Sequence, residues 1–387
     1  LAIDSYQDGI NGVMFSISPA GVQFDVKYSS QGADKNWDAV WKSETKIHED
    51  KWVVEMAIPF SALRIPTGDV QEWSINFARL IRRDRSESWW NPIDPAQNGF
   101  FNQFGTLKGL DDIESPVRFQ ATPYVASVLS FQREPGASPE KTNGRTFTGG
   151  MDLKYGINDA FTLDMTLIPN FGEVQSDDQV LNLSQFEVRF DENRPFFTEG
   201  TELFNKGNIF YSRRIGGTPV NFSTAGDNLG ANEEVVSNPI ETPLVNAFKL
   251  SGRTNSGLGI GVFNGVVRKT FATIRDIETG AEREVETNPF TNYNVLVFDQ
   301  NLKNNSFVTL INANTMRFGD DYDANVTGVV FRARNKEQSL SVSGSTKLSQ
   351  LFNKQADGSL DTDLGYAYDL NIGKTGGKLT YGFEYNV

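Results

Sequence analysis

Residues 116–387 alternate apolar and polar side chains with a period of two over one stretch after another. In residues 161–168, for example, Leu163 and Met165 fall on one side of the predicted strand, while Asp164 and Thr166 fall on the other. Such a strand suits a wall with lipid on one side and water on the other. The pattern predicts strands at 119–131, 148–157, 161–168, 244–253, 257–270, 292–302, 306–317, 324–335, 339–348, 364–371 and from 378 onward.

The connections between these strands alternate in length. Short turns such as 254–257 and 303–305 alternate with longer polar loops, predicted at 275–286, 318–322 and 353–363. This alternation is typical of a bacterial outer-membrane β-barrel, with a soluble β-meander as the alternative. Both termini look like the interior of strands, so we expect a piece of a longer protein whose remaining strands lie beyond residue 387. A small closed barrel is the alternative.

The first part of the chain has shorter strand-like runs separated by turns, as in 13–17, 22–26 and 51–59. Several strands of this length predict a β-sandwich. Residues 111–116 look like a short linker. We therefore predict an all-β protein, with a β-sandwich over 1–115 and an antiparallel outer-membrane type β-barrel portion over 116–387.

Residues 170–216, called the internal segment below, break the hairpin rhythm and are dense in Phe, Asn, Glu and Arg. A stretch of this length without regular structure is usually functional or packed inside something. The lumen of the predicted barrel is the natural container, so we predict a plug-like segment there.

Composition narrows the classes of function. Aromatic residues make up 12% of the chain, with 29 Phe and 35 Gly, as strands and hairpins require. The absence of cysteine excludes disulfides and thiolate metal sites, and a single histidine, His48, excludes a multi-histidine zinc site. A net charge of −13 argues against nucleic acid as a partner. No apolar run is long enough for a membrane-spanning helix.

Four segments of the middle region, 168–177, 182–187, 192–200 and 210–216, resemble the DUF5916 family, a barrel-type domain found mainly in Bacteroidota. Residues 52–60, 73–79 and 104–107 are similar to carbohydrate-binding module family 9, which commonly precedes that domain. The resemblance implies the architecture predicted above rather than an activity. It assigns these motif residues to a network in the lumen: Asn170, Phe171, Asp177, Asn182, Glu187, Glu192, Arg194, Pro195, Phe196, Phe197, Glu199, Arg213 and Arg214.

Carbohydrate binding is the first chemistry to consider in the predicted sandwich. Sugar modules stack aromatic rings on pyranose faces and flank them with polar side chains. The candidates are Trp37, Trp41, Trp89, Trp90, Arg82, Arg83, Asp84 and Asn91. Trp52 and Trp73 alternate along strands and are expected in the core. The alternative for Trp89 and Trp90 is that they dock the sandwich onto the barrel mouth.

Carboxylates suggest two further chemistries. Glu187, Glu192 and Glu199 could include the acid pair of a glycosidase, but neighbouring arginines favour buried ion pairs that hold a plug in place. Acidic runs at 320–323 and 357–363 offer oxygen ligands for calcium without the spacing of an EF-hand loop, and we interpret them as solvated loop tips. No cofactor is predicted, with calcium as the alternative.

The sequence thus predicts a non-enzymatic protein of a Gram-negative outer membrane, with the sandwich in the periplasm or capping the lumen. The expected partners are membrane lipid and an oligo- or polysaccharide, for carbohydrate capture or solute passage. The first alternative is an assembly partner of other envelope proteins, with the sandwich as a docking module. The second is a protein associated with glycoside hydrolysis.

Overall fold

A computed structural model describes residues 1–387 except 30–31, 36, 38, 64, 67–69, 98, 112, 114–118, 134–140, 159, 170–179, 184–186, 191, 193, 199–200, 228, 255, 356, 375 and 377. Almost all of its regular structure is β, which confirms the predicted class. One α-helix occurs in the described ranges, Pro195–Thr198, beside short 3₁₀ turns at Phe60–Ala62, Phe101–Gln103, Lys206–Asn208 and Ser212–Arg214. No helix among these residues is long and apolar enough to cross a membrane.

The first ten strands form the sandwich. They are β1 (Ala2–Asp4), β2 (Gly12–Ile17), β3 (Gln23–Ser29), β4 (Gly32–Asp34), β5 (Lys42–Ile47), β6 (Trp52–Ala57), β7 (Val70–Asn76), β8 (Ala78–Ile81), β9 (Ser86–Trp89) and β10 (Gly105–Asp111). A six-stranded sheet runs in the order β10-β7-β1-β2-β3-β4, while β5–β6 and β8–β9 are separate hairpins. Phe15, Trp41 and Trp73 form the core, and Met56 of β6 packs against it.

The remaining strands are β11 (Phe119–Arg133), β12 (Lys141–Gly156), β13 (Phe161–Leu167), β14 (Glu233–Ser237), β15 (Leu244–Arg253), β16 (Leu258–Val267), β17 (Thr270–Asp276), β18 (Glu282–Asn288), β19 (Phe290–Leu302), β20 (Ser306–Phe318), β21 (Asp323–Arg334), β22 (Leu340–Lys354), β23 (Leu360–Lys374) and β24 (Tyr381–Asn386). Eleven of them form one sheet in the order β11-β12-β13-β15-β16-β19-β20-β21-β22-β23-β24. Every neighbouring pair is antiparallel, and in the described residues β11 and β24 are its edges. Each strand predicted after residue 116 matches one of these eleven.

One predicted loop is wrong, and the loop predicted at 353–363 is shorter, because β22 continues to Lys354 and β23 begins at Leu360. Residues 275–286 are not a loop but the outer half of a hairpin, in which β17 pairs with β18 and also with β14. The charged residues there suggested solvated coil, yet along β17 the buried residues Ala272 and Ile274 alternate with exposed Phe271 and half-buried Thr273. β14, β17 and β18 form a separate three-stranded sheet, and the hairpin connects β16 to β19.

The large sheet has an inner face, which contacts the internal segment, and an outer face. Phe197, Phe204 and Ile215 of the internal segment pack against inner residues such as Phe263 and Val297. The internal segment follows β13 and precedes β15 at the end of the strands that carries the β17–β18 hairpin. This end is called the loop edge, and it is distinct from the edge strands β11 and β24. The opposite end of the strands, called the turn edge, carries the short connections 254–257, 303–305 and 335–339.

Candidate functional site

The tip of the internal segment is joined to the inner face by a buried ionic cluster. Asp299 of β19 is 0% exposed, and its carboxylate lies 3.2 Å from Nζ of Lys206 and 2.5 Å from Nη2 of Arg253. Thr309 donates its hydroxyl to the same carboxylate at 2.5 Å. The ammonium of Lys206 also lies 3.8 Å from the ring centroid of Phe307. Each charge in this cluster therefore has a partner, as burial demands.

A second cluster lies within the internal segment itself. Arg194 donates from Nε and Nη2 to both carboxylate oxygens of Glu192, at 2.8 and 2.7 Å, and from Nη1 to the carbonyl of Ile215 at 2.7 Å. Burial alone raises the pKa of Glu192, but the hydrogen bonds and charge of Arg194 and the Ser212 hydroxyl outweigh it, so the pKa is lowered. Glu192 therefore stays ionised, which does not suit a general acid.

The other predicted motif residues lie in several settings. Glu187 and Arg214 form an exposed ion pair at 2.5 Å. Lys249 of β15 donates to the carbonyl of Phe196, and its ammonium lies 4.5 Å from that ring. Asn182 is exposed, Arg213 is half-buried, and Pro195 begins the short helix. Asn170, Phe171, Asp177 and Glu199 lie outside the described residues.

Trp41, one of the predicted sugar-binding tryptophans, belongs to the sandwich core, which corrects the prediction for this residue. Trp41 is only 7% exposed, meets the Phe15 ring edge-on and donates its indole N–H to Asp25 at 3.1 Å. Trp37 packs against the same core. Trp41 is thus too buried for a sugar to stack on it, whereas Trp37 is half-buried and lines a small cavity next to Glu202 and Leu203 of the internal segment. Both residues lie between β4 and β5 and not on a strand, so strand alternation carries no information on their burial.

The polar candidates are also separated. Arg82, Arg83 and Asp84 are exposed at the tip of the β8–β9 hairpin. The side chain of Asn91 donates to the carbonyl of Gln103, and its backbone N–H donates to Asn76, so it joins the end of β7 to the turn Phe101–Gln103. Of the predicted residues, Trp90 is 64% exposed on the sandwich surface.

Trp89 lines a cleft of about 670 Å³ between the sandwich and the inner face at the turn edge, here called the aromatic–arginine cleft. The sandwich wall is aromatic, and the Trp89 and Phe100 ring centroids are 5.2 Å apart at 81°. Its other main residues are Tyr28, Glu87 and Phe101 on the sandwich and Asn305, Arg332 and Arg334 on the sheet. Sequence reasoning missed both arginines, although the alternation Phe331-Arg332-Ala333-Arg334 carries the signal.

The same interface contains a polar groove of about 1030 Å³ and several docking contacts. Asn301 of β19 donates to Asp8 of the sandwich at 3.0 Å, and Lys27 of the sandwich pairs with Glu202 of the internal segment at 2.9 Å. The groove is lined largely by amides, among them Gln7, Gln97, Asn102, Gln103, Asn304 and Gln338. The sandwich therefore lies across the turn edge of the sheet, close to the tip of the internal segment.

The acidic runs considered for calcium are bonded to protein donors. Asp321 accepts from the Asn221 amide at 3.1 Å, Asp323 pairs with Lys354 at 3.3 Å, and Asp357 accepts from Ser359. Among the described residues no group of three acidic or histidine side chains is arranged to hold a metal ion. The calcium alternative gains no support from this arrangement.

Fold and site together define an all-β protein with a sandwich placed across an antiparallel sheet that holds an internal segment. Residues 115–387 match the family described as Domain of unknown function (DUF5916), and the chain belongs to that family. No curated protein matches the sequence.

Two solved structures of one outer-membrane protein show a distant similarity. One is OmpT (in-vitro folded) of Vibrio cholerae, with 11% identity over 71% of this chain and 89% of that chain and a TM-score of 0.26. The other is its trimer form, with 12% identity over 70% and 89% and a TM-score of 0.24.

Proposed function

We propose that this protein is an outer-membrane β-barrel protein that captures oligosaccharide at the mouth of its barrel. The membrane location is supported by the alternation of buried and exposed residues along the strands of the large sheet. In β19, Val295 and Val297 face the internal segment and are 3% and 0% exposed, whereas Leu296 and Phe298 face outward and are 41% and 39% exposed. An apolar outer face around a filled interior is typical of membrane barrels.

The outer face is apolar on strands across the whole sheet. Directly opposed residues of an antiparallel pair lie on the same face of the sheet. The register therefore identifies the outward-facing residues on each successive strand. Its exposed large apolar residues include Val125, Leu129, Phe147, Tyr155, Val308, Leu310, Val329, Leu348, Leu364, Tyr366 and Phe383. Lipid would cover this surface.

A ladder of amides interrupts the apolar outer face. Asn264 donates to Asn294 at 2.8 Å, Asn312 donates to Asn325 at 2.9 Å, and Asn325 donates to Gln350 at 3.0 Å. Because these groups bond one another across neighbouring strands, their desolvation in lipid is partly compensated. The ladder is therefore compatible with a membrane-facing wall.

The position of the sandwich supports a periplasmic orientation. Bacterial barrels have short turns on the periplasmic side and longer loops outside. The sandwich contacts the turn edge through Asn301 and lies against the tip of the internal segment through Glu202. It would thus lie in the periplasm, across the inner mouth of the barrel.

The capture role rests on the aromatic–arginine cleft, whose volume of about 670 Å³ is in the range of ligand sites. The resemblance of residues 52–60 to carbohydrate-binding modules supports a sugar as the ligand. Hydrolysis is not proposed, because Glu187 and Glu192, the described members of the three glutamates considered for a glycosidase, are each bound to an arginine.

Insertion can be tested with the protein expressed in a Gram-negative host. We expect it in the membrane fraction after a urea wash, and Leu310→Lys on the outer face should destabilise the inserted form by about 2–4 kcal/mol. Glu278→Lys, in the exposed β17–β18 turn, is the matched control and should have no such effect. Recovery of the wild type in the urea wash would refute the membrane assignment.

Capture can be tested by presenting the same folded protein to an oligosaccharide array. Binding that is lost in Trp89→Ala and kept in Trp90→Ala would support the cleft as the site. A folded protein that binds no oligosaccharide would refute capture and favour the docking alternative.

A further inference from the structure

Arg332 and Arg334 of β21 both reach the aromatic–arginine cleft. They are two residues apart on one strand, so their side chains share the inner face. The guanidinium of Arg332 lies 5.0 Å from the Phe307 ring centroid, and the backbone N–H of Arg334 donates to Ser306 at 2.9 Å. Over the ranges that the structure describes, neither guanidinium forms an ion pair or a hydrogen bond, and Nε of Arg334 is buried without a partner.

Three other cations of the inner face and internal segment have acidic partners. Lys206 and Arg253 share Asp299, and Arg194 is held by Glu192. A half-buried cation without a counter-charge is costly, and two adjacent cations repel each other. Arg332 and Arg334 therefore form a place where an anion from outside the chain would gain two charge-assisted, bidentate hydrogen-bonding partners.

The opposite wall of the cleft indicates what else the ligand carries. Tyr28, Trp89 and Phe100 offer ring surfaces for the C–H faces of a sugar. Glu87 lies on the same wall and can accept a hydrogen bond from a hydroxyl group. A small inorganic anion would use the arginines and leave the aromatic wall without contacts.

We infer that the aromatic–arginine cleft binds an acidic oligosaccharide, with a carboxylate or sulfate group of the sugar between Arg332 and Arg334 and a neighbouring ring on the aromatic wall. This inference rests on the proposed capture function and names its substrate class. It also assigns the selectivity for charge to the barrel wall and the recognition of the ring to the sandwich.

The test is calorimetric titration of the full-length protein in detergent at about 0.15 M salt. The probes are oligogalacturonate, a sulfated galactan oligomer of similar length, a neutral galacto-oligosaccharide and inorganic sulfate. We expect one of the two acidic oligosaccharides to bind and the neutral one to bind at least about tenfold more weakly, as loss of a charged hydrogen bond implies. The preferred acidic probe distinguishes carboxylate from sulfate.

Variants assign the effect to the two arginines. Arg332→Gln and Arg334→Gln should each weaken the acidic probe by about 10- to 100-fold and leave the neutral one unchanged. Lys336→Gln is the matched control, because it removes the same charge from the exposed turn just after β21, outside the cleft, and should change neither. Circular dichroism of each variant checks that the β-structure is retained.

The remaining outcomes separate this inference from the proposed function. Equal binding of neutral and acidic oligosaccharides would overturn the inference while capture stands. Binding of inorganic sulfate as tight as that of the acidic oligosaccharide would overturn it too, since the aromatic wall would then contribute nothing. Failure of every oligosaccharide to bind a folded wild type would overturn both.

Discussion

The ammonium nitrogen of Lys27 lies 2.9 Å from Oε2 of Glu202, and this pair joins the sandwich to the internal segment across the turn edge of the sheet. Both side chains are largely shielded from water, at 15% and 13% exposure. Shielding strengthens such a pair relative to a surface salt bridge. Loss of this ion pair is therefore expected to lower the local stability of the internal segment.

Charge reversal tests this pair. Lys27→Glu or Glu202→Lys alone should increase hydrogen exchange over residues 201–210, because two like charges would face each other in a shielded place. The double variant should restore protection, with a coupling energy of about 1–3 kcal/mol. The same reversals applied to the exposed pair Lys108 and Glu72 provide the control. Additive effects of Lys27→Glu and Glu202→Lys would contradict a direct interaction.

The cluster around Asp299 predicts which of its substitutions lowers the stability of the folded protein most. Asp299→Asn leaves both Lys206 and Arg253 without a counter-charge, so it should destabilise the folded protein by about 3–5 kcal/mol. Lys206→Met should cost less, because Asp299 keeps Arg253 and Thr309. Urea unfolding in detergent measures both changes.

Lys269→Met, in the exposed pair with Glu286, serves as the control for the Asp299 experiment and should change stability by less than about 1 kcal/mol. If Lys206→Met proved more harmful than Asp299→Asn, the assignment of Asp299 as the centre of the cluster would be wrong.

Close packing of the internal segment against β16 gives a third prediction. A Cβ added at Gly261 would lie 3.1 Å from the ring of Phe204, which is fully buried. Gly261→Ala should therefore displace the segment and cost about 1–3 kcal/mol, seen as faster proteolysis within residues 201–216. Gly373→Ala in β23 meets nothing within 4 Å and should leave proteolysis unchanged. Equal proteolysis of the two variants would refute this contact.

The strands could be predicted because period-two alternation is a local property that each strand carries in its own sequence. Contacts between distant segments have no such local signal. Nothing near Lys206 indicates that its partner is Asp299 on β19, and only the folded arrangement shows that Arg332 has no acidic partner among the described residues. The burial of Trp41 has no local signal either, because it results from contacts with Phe15 of β2 and Asp25 of β3.

Asp4 gives a prediction about pH. Burial, and then the charge of Asp8, raise the pKa of Asp4 to about 7, against the hydrogen bonds from the backbone N–H groups of Gly9 and Tyr6. The unfolded chain has an ordinary aspartate pKa of about 4, so between these values the folded state binds the extra proton. The contribution of Asp4 to the unfolding free energy is thus fully present below about pH 4 and is lost as the pH rises through about 7.

Urea unfolding of the full chain, followed by tryptophan fluorescence between about pH 5 and 8, tests this linkage. Asp4→Asn mimics the neutral carboxyl and should remove the decline in stability with pH. This prediction concerns the change with pH and not the absolute stability of the variant. Asp84→Asn is the control, because Ser86 lowers the pKa of exposed Asp84 and keeps it charged throughout this range. A decline that persists unchanged in Asp4→Asn would show that another group is responsible.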